Sequence, residues 1–416
     1  MATENKKYIP TLRFPEFQND GEWKRCKLSD VAVRKGKKNT KGIELPVYTN
    51  SATSGVISQE DYFDREIVTK ENLVNYGIIE PNDFVYNPRV SVTAPVGPIS
   101  RNKLSRGIMS PLYLIFGFNG GDINFFEHYF KGNSWHNYLR AKANYGARFD
   151  RINIGTKEFM DMPIPYPSLA EQKKIADCLS SLYKYIEATK RKLELLKEHK
   201  RGLMQRLFPA KGKTTPELRF PEFQNDGEWQ TMSLGEITSV VNRRNKSNRS
   251  LPIYSINNAD GFVPQSQQFA GMDSEARGYD ISAYKIIGKH TFAYNPARIN
   301  VGSIGYSGEL KDILISSLYI CFKTMDNVDD DFLMCFFNSY IFNQAVESNV
   351  EGGIRSYLFY ENFSRINIAI PSLYEQKRIA SCITSIEDMI KKTNEQIILF
   401  ETHKKGLLQQ LFPMIK

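Results

Sequence analysis

One stretch of the chain occurs twice, and its two copies constrain how everything else can fold. It reads PSLAEQKKIADCLSSLYKYIEATKRKLELLKEHKRGLMQRLFP at 167–209 and PSLYEQKRIASCITSIEDMIKKTNEQIILFETHKKGLLQQLFP at 371–413. Large apolar residues recur at steps of four and three: Ile175, Leu179, Leu182, Ile186, Leu193, Leu196, Leu203 and Leu207 in the first copy. In the second they are Ile379, Ile383, Ile386, Ile390, Ile397, Phe400, Leu407 and Leu411. A heptad seam of this length predicts a long helix that pairs along one stripe. Polar residues interrupt the seam at matching places, Thr189 and Lys200 against Thr393 and Lys404. Each copy opens on a serine, Ser168 or Ser372, with Glu171 or Glu375 three residues on. That is the pattern of a capping box, in which the serine accepts from the N3 amide and the glutamate reaches back to the cap's own N–H. Each ends at Leu-Phe-Pro, because proline cannot continue a helix. Two equal seams most simply pair with each other.

The duplication runs the length of the chain. LRFPEFQNDGEW at 12–23 returns unchanged at 218–229, an offset of 206. LPVYTNSATSGV from Leu45 matches LPIYSINNADGF from Leu251, and Tyr86-Asn87-Pro88 matches Tyr294-Asn295-Pro296. SPLYLIF at 110–116 matches SSLYICF at 316–322, and Gly146-Ala147-Arg148 corresponds to Gly353-Ile354-Arg355. Units of this size are globular domains rather than solenoid repeats. Inside each, short β-branched and aromatic runs bounded by Pro, Gly and Asn (LPVYTN, DFVYNP, PLYLIF) read as strands, and one helical segment follows them. The expected fold class is α+β, each domain built on a mostly antiparallel sheet. The polar segment AKGKTTPE at 210–217 reads as a linker. The expected order is a domain over 1–166, a helix over 167–210, a domain over 211–370 and a helix over 371–416. A helix this long rises about 60 Å, at roughly 1.5 Å per residue. The second helix pairs with the first only by running back, which predicts an antiparallel coiled coil separating two pseudo-two-fold-related domains. The rival layout, two lobes whose helices each pack on their own domain, needs a broader apolar stripe than this seam provides.

Composition narrows the class of protein. With 41% hydrophobic and 12% aromatic residues the chain reads as folded, and no apolar run approaches the roughly 20 residues of a membrane span. The start, MATENKKYIP, lacks the apolar core of a secretory signal. Five scattered cysteines without a C-x-x-C fit buried thiols in a reducing cytoplasm. A net charge of +9 permits a polyanionic partner.

Catalytic patterns are few and fail on inspection. KGKTT at 211–215 lacks the leading glycine of a phosphate loop and follows a helix rather than a strand. The five histidines form no metal-spaced cluster. Asn87-Pro88 and Asn295-Pro296 partly match the Asn/Asp-Pro-Pro-aromatic motif of amino-group DNA methyltransferases, but Arg89 and Ala297 stand where the second proline would. What does recur suits nucleic acid. Arg34, Lys35, Lys37 and Lys38 lie in one loop, and Arg243, Arg244, Lys246 and Arg249 lie at the aligned place in the second copy. Such cations neutralise phosphates and release counterions, and arginine and asparagine also read base edges. Asn87, Arg89, Arg148 and Arg151, with Asn295, Arg298, Arg355 and Tyr357, complete the candidates. No metal ligands and no catalytic residues are expected.

The P-S-L-x-E-Q-K-x-I helix start, the Leu-Phe-Pro end and the F-P-E-F…G-E-W domain start, all in duplicate, resemble the specificity subunit of type I restriction–modification systems. The resemblance covers the whole chain. It implies two target recognition domains, each reading one half of a bipartite asymmetric DNA sequence, held apart by paired helices that dock two methyltransferase subunits. It also implies S-adenosylmethionine on those partners, ATP and magnesium on a restriction and translocation subunit, and no chemistry on this chain. The helix faces bearing Lys173, Lys174, Lys190, Arg191 and Lys192 are then open to partners or DNA. The copies diverge over 34–44 against 240–250 and over 60–80 against 269–289, as two readers of different half-sites should. The rival readings are a non-catalytic scaffold bridging two proteins, and a fused nuclease or methyltransferase.

Overall fold

A computed structural model describes residues 8–61, 73–145, 150–258, 260–268, 271–349 and 357–414. Arg148 and Arg355 lie outside the described residues, as do parts of the divergent stretches at 62–72 and 269–270. The fold is α+β in two repeated units, one comprising residues 1–190 and 395–416, the other 191–394.

Each unit holds two four-stranded sheets. In the first unit, Ala32–Arg34, Leu114–Phe118, Phe84–Tyr86 and Ile99–Arg101 lie side by side, all antiparallel. The other sheet runs Gly55–Ser58, Val47–Ser51, Gly107–Met109, Gly77–Ile79, with one parallel pair, Val47–Ser51 on Gly107–Met109. The second unit repeats both sheets, with Ile253–Asn257 parallel to Ile313–Ile315. The central strand Phe84–Tyr86 is buried throughout because the helix that follows the sheet packs over it, Phe84 lying 6.0 Å from Phe130 between ring centroids. In the first unit that helix is Ile123–Lys131, whose cap Asp122 accepts from the N–H groups of Asn124 and Phe125 at 2.9 and 3.0 Å. Its Phe126 stacks on Phe118 with ring centroids 3.9 Å apart, and Phe84 stacks on Phe116 at 5.6 Å. Such rings supply most of the buried apolar area and so most of the drive to close the core.

The two long helices span Leu169–Leu207 and Leu373–Gln410. Along the seam Ile175, Leu179, Ile186, Leu193, Ile379, Ile383 and Ile386 are buried, and Leu182, Leu196, Ile390, Ile397 and Phe400 are half-buried. Thr189 and Thr393 are buried too, each hydroxyl donating to the carbonyl four residues back, Tyr185 O at 2.8 Å and Met389 O at 2.7 Å. Within the first unit Tyr185 meets Phe400 edge-on at 4.9 Å and Lys190 pairs with Glu401 at 2.9 Å, while Leu408, Leu411 and Phe412 share the core with Ile175 and Leu179. Residue numbers rise on one helix as they fall on the other, so the pairing is antiparallel. Within the second unit Lys200 pairs with Glu387 at 2.6 Å, and Met204, Leu207 and Phe208 join Ile379 and Ile383. Each domain core therefore takes the start of its own helix and the Leu-Phe end of the other.

The capping box forms only by half. Ser168 and Ser372 accept from the amides of Glu171 and Glu375 at 3.3 Å. The glutamates do not turn back to the cap. Glu171 receives Nε and Nη2 of Arg13 at 2.7 and 2.8 Å, and Glu375 receives those of Arg219 at 2.8 Å. A buried bidentate guanidinium outcompetes a solvated backbone N–H for the carboxylate. The neighbouring Gln172 and Gln376 are also buried, each accepting the amide of the short helix cap, Asp122 or Asp329, at 2.8 Å. The unchanged twelve residues are thus a strap. Leu12 donates to Gln410 O and Leu218 to Arg206 O, so the strap ties each domain's first turn of helix to the last turn of the other helix. No helix among the described residues is long and apolar enough to cross a membrane.

Candidate nucleic-acid interface

The basic loops that differ in sequence share one skeleton. Asn39 and Asn245, buried and offset by 206, anchor them. The Asn39 side chain accepts from Ile43 N at 3.0 Å and donates to Ile43 O at 2.8 Å. Asn245 does the same with Arg249, at 3.0 and 2.9 Å. The residue three after each asparagine sits in the left-handed region, Gly42 at φ 60° and Asn248 at φ 47°, the two residue types that tolerate it best. Each loop also pairs with the edge strand of its unit's second sheet: Ile78 N donates to Lys37 O and Ile286 N to Arg243 O. A loop fixed at both ends can display side chains in a set register. Lys37 and Lys38 stand exposed on one, Arg243, Arg244, Lys246 and Arg249 on the other, with Arg34 exposed at the strand end. Lys35 is committed elsewhere, its ammonium 2.7 Å from the buried carboxylate of Asp83.

A second cluster forms beside the Asn-Pro turns. Asn87 is a turn-former: its Oδ1 accepts from Arg89 N and its Nδ2 donates to Asn50 O, both at 3.0 Å. Asn295 likewise accepts from Ala297 N at 3.0 Å. Both asparagines shape the turn with Oδ1, and Asn87 also commits its amide nitrogen to Asn50 O. Against each turn lies an extended segment, through Ile152 N to Pro88 O at 2.9 Å and Leu358 N to Pro296 O at 3.0 Å. This register makes Arg151 the counterpart of Tyr357, and Asn153 that of Phe359. The first unit therefore presents exposed Arg89 and Arg151, bridged through their backbones, with Asn153 beside them. The second presents Arg298 with Tyr357 and Phe359, stacked at 5.7 Å and 6° from parallel, Phe359 being 51% exposed. An aromatic pair with one ring exposed and the other half-buried has the chemistry to stack on a base, whereas paired guanidiniums suit phosphate or guanine edges. The sequence reading missed Asn39, Asn245 and Phe359. The signal was there: identical asparagines at the common offset inside otherwise unlike loops, and an aromatic two residues after Tyr357 in a strand-like run.

A family model described as the type I restriction modification DNA specificity domain matches residues 20–198 and again 226–399. Three specificity subunits of Methanocaldococcus jannaschii type I restriction enzymes are similar in sequence. MjaVIII is 24% identical over 98% of this chain and 95% of its own length. MjaX and MjaIX are 25% and 24% identical over 68% of this chain, and the chain spans 65% and 66% of their lengths. Among solved structures, the type I system S subunit from M. genitalium aligns over 98% of this chain and 100% of its own, with a TM-score of 0.58 at 14% identity. The HsdS subunit from Thermoanaerobacter tengcongensis aligns over 94% and 96%, with a TM-score of 0.50 at 14% identity.

Proposed function

Because the chain belongs to the type I restriction–modification DNA specificity family, we propose that each of its two domains reads one half of a bipartite, asymmetric duplex target and that it does no chemistry itself. One observation carries this reading: the same anchored skeleton displays different outward residues in the two units. Lys37 and Lys38 in the first unit correspond to Arg243 and Arg244 in the second, and Arg151 corresponds to Tyr357. Cations in both sets would release counterions from phosphates, while the differing side chains would read different bases. The paired helices would set the untouched spacer and dock two methyltransferase subunits, which would bring S-adenosylmethionine and methylate adenine. A restriction subunit using ATP and magnesium would complete the assembly.

Methylome sequencing of cells carrying this chain with its methyltransferase subunit tests the reading directly. A bipartite motif is expected, and Arg243→Ala with Arg244→Ala should weaken or relax one half only, by about 1–3 kcal/mol for each lost base contact. Equal loss at both halves, or methylation without a bipartite motif, overturns it.

A further inference from the structure

One outward apolar residue is the same in both units although the loops around it differ. A four-residue turn leads into the inner strands Leu114–Phe118 and Ile320–Thr324: Ser110-Pro111-Leu112-Tyr113 in the first unit, Ser316-Ser317-Leu318-Tyr319 in the second. Tyr113 N donates to Ser110 O at 3.0 Å, and Tyr319 N to Ser316 O at 3.1 Å. In both turns the serine hydroxyl accepts from the leucine amide at 3.4 Å. The tyrosines are tied down as well. The Tyr113 hydroxyl bonds to Thr49 Oγ1 at 3.0 Å, and the Tyr319 hydroxyl accepts from Ile256 N at 3.3 Å. Held between these anchors, Leu112 and Leu318 stand at the corner 58% and 74% exposed.

Each corner lies between the basic loop and the Asn-Pro turn of its own unit. Tyr86 pairs with Leu114 and Tyr294 with Ile320, so the leucine turn and the Asn-Pro turn occupy the same end of the sheet. On the other flank, Lys35 N donates to Ile115 O and Val241 N to Cys321 O, which brings in the basic loop. Exposed cations therefore stand to either side: Lys37, Lys38 and Arg89 in the first unit, Arg243, Arg244 and Arg298 in the second. An isolated exposed leucine is ordinary. Here the flanking residues have diverged and the leucine has not, so its task is one that both half-sites share. Leucine neither pairs with a phosphate nor hydrogen-bonds a base edge, and its gain lies in leaving water against an apolar surface. On duplexes of different sequence, the apolar surface always present is the face of a base.

We propose that Leu112 and Leu318 are wedges, each inserting at one base step of its own half-site and partly unstacking it. The proposal rests on the reading of the chain as a DNA specificity subunit, and its test separates the two.

The probe is the duplex whose motif methylome sequencing reports, bound by the full chain with its methyltransferase subunits. Aminopurine, a fluorescent adenine analogue that brightens when unstacked, replaces one adenine at a time in and beside each half-site, the methylated adenine excepted. Wild type should brighten one step in each half. Leu112→Ala should abolish the signal in one half and leave the other, and Leu318→Ala should do the reverse. Each should weaken duplex binding about tenfold, with an unchanged salt slope because no cation is lost. Leu112→Met, which keeps an apolar side chain of similar volume, should retain the signal. No brightening in wild type, or brightening that survives both alanine variants, overturns the wedge, while preference for the cognate duplex upholds the DNA reading. Alanine variants that lose the methyltransferase subunits in the absence of DNA would show that the leucines hold a protein, which also refutes the wedge. Binding without preference for the cognate duplex removes both.

Discussion

Glu171 and Glu375 are the same residue in the same bonds, each clamped by an arginine of the strap. Arg151 and Tyr357 occupy equivalent places against the Asn-Pro turns and share no chemistry. The contrast teaches what sequence identity between these repeats records. Within the strap Arg13 and Arg219, 7% and 9% exposed, and the buried Trp23 and Trp229 face inward. By contrast Glu16, Gln18, Asn19 and Asp20 and their counterparts Glu222, Gln224, Asn225 and Asp226 are exposed. Residues that differ at the loops and turns face solvent. Shared sequence here marks the chain's own closure at its buried positions and, over the exposed part of the strap, an outward surface common to both units.

The strongest way to break that comparison is to remove residues 395–416. They carry Leu408, Leu411 and Phe412 of the first unit's core, so the truncated chain should lose the fold of its first unit, the one far away in sequence, while the second keeps its own. Hydrogen exchange resolved by peptide separates the two outcomes. A milder form is Phe412→Ala, which should cost the first unit about 3–5 kcal/mol, as Phe208→Ala should cost the second. Phe412 packs on Phe125 and Tyr129, with ring centroids 5.3 and 5.6 Å apart. Damage confined to the residue's own repeat would refute the exchanged helix ends.

The strap permits a sharper test, because it predicts equality. Glu171→Gln and Glu375→Gln each leave a buried guanidinium without its carboxylate, at a cost of about 3 kcal/mol. Thermal or urea unfolding of the two variants should show the same loss in the two units. A loss in one only would mean that the identical sequence performs different work.

Much of this architecture was legible because its signals are periodic or duplicated. The seam from Ile175 to Phe400 shows itself through a repeat of seven, and the mostly antiparallel sheets through short β-branched runs. The antiparallel sense of the helices followed from chain order alone. What stayed hidden was set by competition between partners. Glu171 satisfies the capping-box pattern, and nothing in the local sequence says that Arg13, distant along the chain, takes its carboxylate. Lys35 looks as available as Lys37 until the buried Asp83 is placed beside it. Asn87 looks as available to a base as Asn295 until the turn is folded, which takes both its Oδ1 and its amide nitrogen. The crossing of the Leu-Phe ends into opposite cores is a three-dimensional fact with no local signature.

The comparison also has a pH dimension, confined to one unit. His128 lies on the short helix of the first domain, 4% exposed, with Nε2 2.9 Å from Ser180 Oγ and its ring stacked on Tyr183 at 5.3 Å. Burial, reinforced by the charge of Lys131, pushes its pKa down to about 4. In the unfolded chain the ring takes up its proton near 6.5. Between those values the unfolded state holds more protons, so stability falls as pH falls. The contribution is whole above about pH 6.5 and is lost on approach to pH 4, a ceiling of about 3 kcal/mol and an expected loss nearer about 2. The counterpart in the second unit is Cys335, whose thiol burial pushes up to about 12 and which therefore stays neutral throughout. Unfolding followed from pH 7 to pH 4 should thus weaken the first unit more than the second, and His128→Leu should flatten the difference. A difference that survives the substitution and appears only below about pH 5 would move the acid sensitivity from His128 to the neighbouring carboxylate Glu127. Its burial is outweighed by Lys131 and Lys103, which hold its pKa down at about 2. Loss from that group would begin near the ordinary carboxylate pKa of about 4.5 and be complete only near pH 2, so the pH at which the units part company identifies the residue responsible.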